Sequence, residues 1–145
     1  MKIYLGSDHA GYELKEKLKK FLNELGHEVE DKGAFKYDSE DDYPDFIKPV
    51  AEAVAKDSES RGIVLGGSGQ GEAIVANRVR GVRVAVYYGN NLDIVKLSRE
   101  HNDANVLSFG ARFISEEEAK KAVELWLKTP FEGGRHERRV KKIDS

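Results

Sequence analysis

Within VLGGSGQGEAIVANR, residues 64–78, four glycines crowd into the six positions from Gly66 to Gly71, and a carboxylate, Glu72, follows at once. An apolar, strand-like run precedes them and a helix-like run follows. Glycine lets the backbone take positive φ and approach a ligand without a Cβ. A glycine loop entering a helix also aims N–H groups at one point, where the helix dipole adds positive potential. Two readings stand: a tight strand-to-helix turn, or an anion cradle built from Gly67, Gly69, Gly71 and Ser68. Three familiar motifs fail here. A phosphate-binding P-loop needs Lys-Ser/Thr after its last glycine, where this chain has Glu72 and Ala73. The dinucleotide fingerprint from Gly67 needs glycine at 72, and a nucleophile elbow around Ser68 needs glycine at 70. Glu72 itself is either a dipole complement in a helix's first turn or a base. A carboxylate beside an oxyanion cradle suits proton transfer alpha to a carbonyl: the base takes the proton and the N–H groups hold the enolate oxygen.

Other residues could join this chemistry. Asp8 and His9 directly follow the first apolar run. His101, in REHNDAN (99–105), either complements a helix C-terminus or acts as a general acid, because imidazole titrates near neutrality. Arg135 and Arg139 stand four apart, so one helical face presents both. They form either a solvated basic face or a phosphate clamp, for which the guanidinium fork is suited. His9, His101 and His136 show no ligand spacing of the H-x-x-x-H kind, so no metal site is expected.

The elements that must position these groups alternate along the chain. Strands are predicted at 2–6, 27–31, 61–66, 82–89 and 104–111. Helices are predicted at 11–26, 43–56, 69–79, 91–101, 115–128 and, as a last basic helix, 133–143. The first carries Leu14, Leu18, Phe21, Leu22 and Leu25 on one stripe and closes at Gly26. Pro49 puts the first turns of the second in question, and Ser115 with Glu118 has capping-box spacing. Five strand–helix alternations predict an α/β fold: a three-layer, Rossmann-like domain with a five-stranded parallel sheet and helices on both faces. Ligands in such sheets sit beyond the carboxyl ends of the strands. Ser7-Asp8-His9, the 66–72 loop, the 88–91 turn and the 110–112 turn fall there.

Composition bounds the rest. The 145 residues suit a single domain, 1–145. With no cysteine there is no disulfide, thiolate metal site or cysteine base. A formal charge of −2, from 24 basic and 26 acidic residues, gives no general attraction to nucleic acid. No run approaches the ~20 apolar residues of a membrane span. The N-terminus turns polar after five residues, unlike a signal peptide, and a cytoplasmic location is expected.

SDHAGYELK (7–15), DYPDF (42–46), GGSGQGEAIVANR (66–78), SREHNDANVLSFGAR (98–112) and FEGGRHERRV (131–140), in that order along the chain, resemble the ribose/galactose isomerase family. The resemblance implies interconversion of ribose 5-phosphate and ribulose 5-phosphate through a cis-enediolate, without a cofactor, at a site in a dimer cleft. It implies that Asp8 and His9 line the sugar site and that Gly67 to Gly71 with Ser68 hold the enediolate. His101 would assist ring opening, with Asn102 and Arg112 joining from the partner subunit. Arg135, Arg139 and Arg112 would hold the phosphate. Many members carry a cysteine base where this chain has Gly66; another branch places a glutamate at the position of Glu72, and this chain resembles that branch. A free glutamate has a pKa near 4.3, which the helix N-terminus lowers and desolvation raises; Ser68 is placed to orient the carboxylate. Galactose 6-phosphate and allose 6-phosphate isomerases share these blocks. Six-carbon substrates need more room, which loop 32–43, ending at Tyr43, would set. The galactose enzymes use two different subunits with incomplete sites. This chain carries every position, which favours a homodimer, with a tetramer as the larger alternative. A non-catalytic sugar-phosphate binding module would not need Glu72 or His101.

Overall fold

Successive strand residues point to opposite faces of a sheet, and the core divides accordingly. Ile3, Leu5, Ile63, Leu65, Leu107 and Phe109 face one way, in a cluster with Leu14, Leu18, Leu22 and the fully buried Trp126. Val64 and Val106 face the other way, against Ile47, Val50, Ala51 and Val54. The structure, a computed structural model, describes residues 1–145.

Five strands, β1 (Lys2–Ser7), β2 (Glu28–Asp31), β3 (Arg61–Gly66), β4 (Val84–Tyr87) and β5 (Val106–Gly110), form one all-parallel sheet in the order β2-β1-β3-β5-β4. The helices are α1 (Tyr12–Glu24), α2 (Pro44–Lys56), α3 (Gln70–Asn77), α4 (Asp93–Glu100), α5 (Glu116–Lys128) and α6 (Arg135–Lys141). Helices α1, α4 and α5 cover the first face; α2 and α3 cover the second. The fold class read from the alternation is the one observed. No helix is long and apolar enough to cross a membrane.

Local differences have physical causes. Leu14, Leu18 and Leu22 of α1 are buried, but Leu25 lies beyond the last helical turn and is 45% exposed. Helix α2 runs through Pro49 from Pro44 at its first position. The apolar face of Ile47, Val50, Ala51 and Val54 holds it against the sheet despite the missing N–H. Ser115 caps α5 by accepting the Glu118 N–H at 3.1 Å, but the Glu118 side chain turns instead to the Tyr87 hydroxyl, 2.6 Å away.

The chain passes from β1 out to β2, then returns to β3 on the other side of β1. Helices α1 and α3 therefore leave the carboxyl ends of β1 and β3 toward opposite faces, opening a crevice between them. The turn after β1 and the glycine loop after β3 face each other across it.

Candidate active site

Glu72 stands in the first turn of α3 and is 3% exposed. The loop before it is bare for reasons distributed over its glycines. Gly69, the N-cap of α3, has φ +80°, a left-handed conformation that favours glycine. At Gly66 a Cβ would collide with the Glu72 carboxylate, which fills that space. The Arg112 guanidinium packs over Gly67, 3.0 Å from where a Cβ would stand, and the Tyr43 ring packs over Gly71 at 2.8 Å. The loop thus draws three candidate side chains onto its own backbone. Its N–H groups at Gly67, Ser68 and Gly71 donate to no atom of the chain, so they remain free for an anion.

The opposed influences on Glu72 resolve in one direction. Burial pushes its carboxyl above the ordinary carboxylate range, the negative Asp8 adds to this, and the backbone N–H groups of Glu72 and Gly69 only partly offset it. A raised pKa makes Glu72 a better proton acceptor than a free glutamate. Ser68, expected to orient the carboxylate, makes no hydrogen bond to it in this structure. Its exposed hydroxyl accepts the Gln70 N–H at 3.2 Å, because the loop turns it outward.

Asp8 caps the short 3-10 turn His9–Gly11, its Oδ1 accepting the N–H groups of Ala10 (3.0 Å) and Gly11 (3.3 Å). His9 is clamped by Asp41. The His9 N–H donates to Asp41 Oδ1 at 3.0 Å, and Nδ1 lies 2.7 Å from the same oxygen. That contact raises the His9 pKa above the ordinary imidazole value; burial and Arg112 oppose it and Asp8 assists it. Asp41 is a residue that sequence reasoning missed. It is one of several acids in DSEDD, and nothing in the string says which of them reaches His9 across 32 positions.

The resemblance implies that Arg112 joins from the partner subunit, and within its own chain Arg112 already reaches the glycine loop. Its backbone N–H donates to the Gly67 carbonyl at 3.1 Å and its side chain covers the loop, so it reaches this edge within its own chain. The parallel pairing of β3 with β5 is the cause, because it sets Gly110 beside Gly66.

His101, Asn102, Arg135 and Arg139 gather elsewhere. Helix α4 runs back against the strands, so its C-cap, His101, lies at the sheet's amino-terminal edge, just before β5 begins. The five residues of β5 separate the two edges by roughly 16 Å. Buried Arg99 fixes the REHND turn, donating to the carbonyls of Thr129 (3.1 Å) and Ala104 (2.7 Å) and to Asp103 (2.8 Å). The tail is tied there by the Glu132 N–H, which donates to the Glu100 carbonyl at 3.1 Å. His101, Asn102, His136, Arg139, Val140 and Ile143 line a hollow of about 390 Å³, and Arg135 starts the same helix one turn before Arg139.

The expectation of no metal site rests on linear spacing, whereas proximity in the fold groups residues that spacing does not. His101, Glu132 and His136 place one ligand atom each within 4.8 Å of the others, as do Asp8, His9 and Asp41. Linear spacing missed the first set because two helix ends and a loop converge on it.

A doubly wound α/β domain with a buried, pKa-raised carboxylate behind a bare anion-facing loop is the class these features define. The chain belongs to the ribose/galactose isomerase family, whose family model matches residues 3–143. It is 45% identical over 141 residues to ribose-5-phosphate isomerase B of Mycolicibacterium paratuberculosis, covering 97% of this chain and 87% of the relative. Ribose-5-phosphate isomerase B of Mycoplasma genitalium, solved with bound ribulose 5-phosphate, superposes with a TM-score of 0.94 at 40% identity, covering 98% of this chain and 93% of that one. The Clostridium thermocellum enzyme gives 0.93 at 49% identity, over 99% and 95%.

Proposed function

We propose that the chain is an aldose–ketose isomerase interconverting ribose 5-phosphate and ribulose 5-phosphate. One observation carries the assignment: a buried carboxylate of raised pKa beside backbone N–H groups that nothing in the chain uses. The ribulose 5-phosphate held by the Mycoplasma genitalium relative supports the substrate. Glu72 takes the proton from C2 of the open-chain aldose, and the electron pair moves to form the cis-enediolate. The free N–H groups of Gly67, Ser68 and Gly71 stabilise its oxygens. Glu72 returns the proton to C1, while a proton passes from O2 to O1, giving the ketose. His101 serves ring opening, Asp8 and His9 line the sugar, and Tyr43 closes the wall over Gly71. Arg135 and Arg139, with Arg112, hold the phosphate, and Asn102 stands beside His101. No cofactor enters these steps.

Glu72 and His101 lie on opposite edges of one chain, so they share a substrate only across an interface. That supports an isologous homodimer, in which each copy supplies the other's missing wall; a tetramer would be a pair of such dimers. Exposed Ile74, Tyr88, Ile94 and Phe113 offer apolar surface for it. Both edges draw on the same sheet, so the activity belongs to one domain spanning 1–145. Sugar phosphates are charged and retained inside cells, which supports a cytoplasmic location.

The deciding assay measures turnover of ribose 5-phosphate against allose 6-phosphate and galactose 6-phosphate, with and without EDTA. Preference for the five-carbon sugar, undiminished by EDTA, is expected. Preference for a six-carbon sugar would move the assignment within the family. Binding without turnover of any of them would leave only a binding module.

A further inference from the structure

We propose that His101, His136 and Glu132 chelate a borderline divalent cation such as Zn²⁺, and that this ion withdraws His101 from catalysis. The inhibitory half rests on the role given to His101 above; the binding half does not. Both imidazoles aim the same nitrogen at one carboxylate oxygen: His136 Nε2 lies 3.5 Å and His101 Nε2 3.7 Å from Glu132 Oε1. The rings stack with centroids 4.2 Å apart and planes 14° from parallel, so their in-plane lone pairs lie side by side and the rings must turn toward each other to share one ion. Ligand atoms about 2.0–2.2 Å from a tetrahedral zinc lie about 3.3 Å from one another. Modest side-chain rotations reach that spacing from the distances observed.

The three ligands are positioned in advance. The His101 backbone is pinned through its N–H to the Leu97 carbonyl (2.9 Å), Glu132 through the Glu100 carbonyl (3.1 Å), and His136 through the Gly133 carbonyl (3.1 Å). Neither ring makes a hydrogen bond within the chain, so no internal partner must be given up. The other cluster of suitable groups differs in this respect. Asp8 Oδ1 is engaged by two backbone N–H groups, and Asp41 Oδ1 by both the backbone and the ring of His9. Two imidazoles and one carboxylate select zinc, cobalt or nickel over magnesium or calcium, which prefer all-oxygen shells. An imidazole nitrogen bound to an ion cannot carry a proton, so ring opening stops while the ion is held. Proton and ion compete for the same lone pair on each imidazole.

The test uses the full chain dialysed free of metal. ZnCl₂ is titrated by calorimetry, and CoCl₂ by its visible absorption. One equivalent per chain is expected, with affinity at least tenfold lower in His136→Gln and in Glu132→Gln, each checked for native circular dichroism. Absence of saturable binding, or binding unchanged in both variants, would overturn the site. In parallel, zinc should inhibit ribose 5-phosphate turnover by the wild type and EDTA should restore it. Glu132→Gln, outside the proposed machinery, should keep its metal-free turnover and resist zinc. Zinc that binds without inhibiting would overturn the capture of His101. A metal-free wild type that turns over no ribose 5-phosphate would overturn the isomerase assignment instead, leaving the cobalt titration to decide the site.

Discussion

The carboxylate of Glu72 occupies the space that a side chain on Gly66 would need. The two positions are six apart in sequence, yet the turn from β3 into α3 folds them onto one volume. Gly66→Ala should therefore displace the carboxylate. Turnover should fall at least a hundredfold, since a positioned general base contributes about 10²–10⁴. Gly66→Cys should be equally impaired, whereas Gly66→Cys with Glu72→Ala should recover turnover and become sensitive to iodoacetamide. Steady-state rates of the three proteins check this; a fully active Gly66→Ala would show that the carboxylate does not act from this position.

Glu72→Gln should abolish turnover while sugar-phosphate binding survives, because the amide is nearly isosteric but accepts no proton. It should also stabilise the fold. Burial raises the Glu72 pKa in the folded state, so the folded chain keeps a proton that the unfolded chain has released. Stability is then lost as pH rises from the unfolded pKa through the folded one. The variant should melt above the wild type at neutral pH, and the gap should close below the ordinary carboxylate range. Melting curves across pH test this; a gap that does not narrow in acid would refute the linkage.

Asp41→Asn should lower the His9 pKa toward the ordinary imidazole value of about 6.5, because the Asp41 contact is the main cause of its elevation. In the proposed site, protonated His9 would favour the substrate's anion. The rise of KM at alkaline pH should therefore begin at lower pH in the variant. Proton NMR of the His9 ring and KM–pH profiles supply the readouts, and superimposable profiles would remove Asp41 as the holder of that proton.

Glu72→Gln and His101→Ala chains, each inactive alone, should complement each other when co-expressed. In a mixed dimer one site carries both defects and the other carries neither. Random pairing makes about half the dimers mixed, each with one intact site, so roughly a quarter of wild-type activity should return. Verified heterodimers as inactive as their parents would mean that the two residues never share a site.

The sheet was legible because its signals are local. Each strand is a short apolar run, and each helix a stripe at helical spacing. Glu72 and its glycines were legible as a constellation because they are contiguous. The reason for the glycines was only half legible. An open cradle was foreseen, but not the occupation of their empty volumes by Glu72, Arg112 and Tyr43, which come from three different segments. Asp41 and Glu132 were hidden for the same reason. Each is one acid among many, and only the crossing of distant loops brings it against a histidine. The sign of the Glu72 shift required burial, which a string of residues does not specify.

Because α4 runs back against the strands, the chain carries its proposed reacting groups to opposite edges, and in the proposed dimer its activity would be a property of concentration. On that reading a solitary chain would hold two half-sites that face away from each other. Specific activity should therefore track mass action, falling on dilution below the dimer dissociation constant and returning when the protein is concentrated. Substrate that bridges the two halves would draw chains together, so the sugar phosphate would act as a cross-link as well as a reactant. Progress curves begun from dilute protein would then accelerate before they settle.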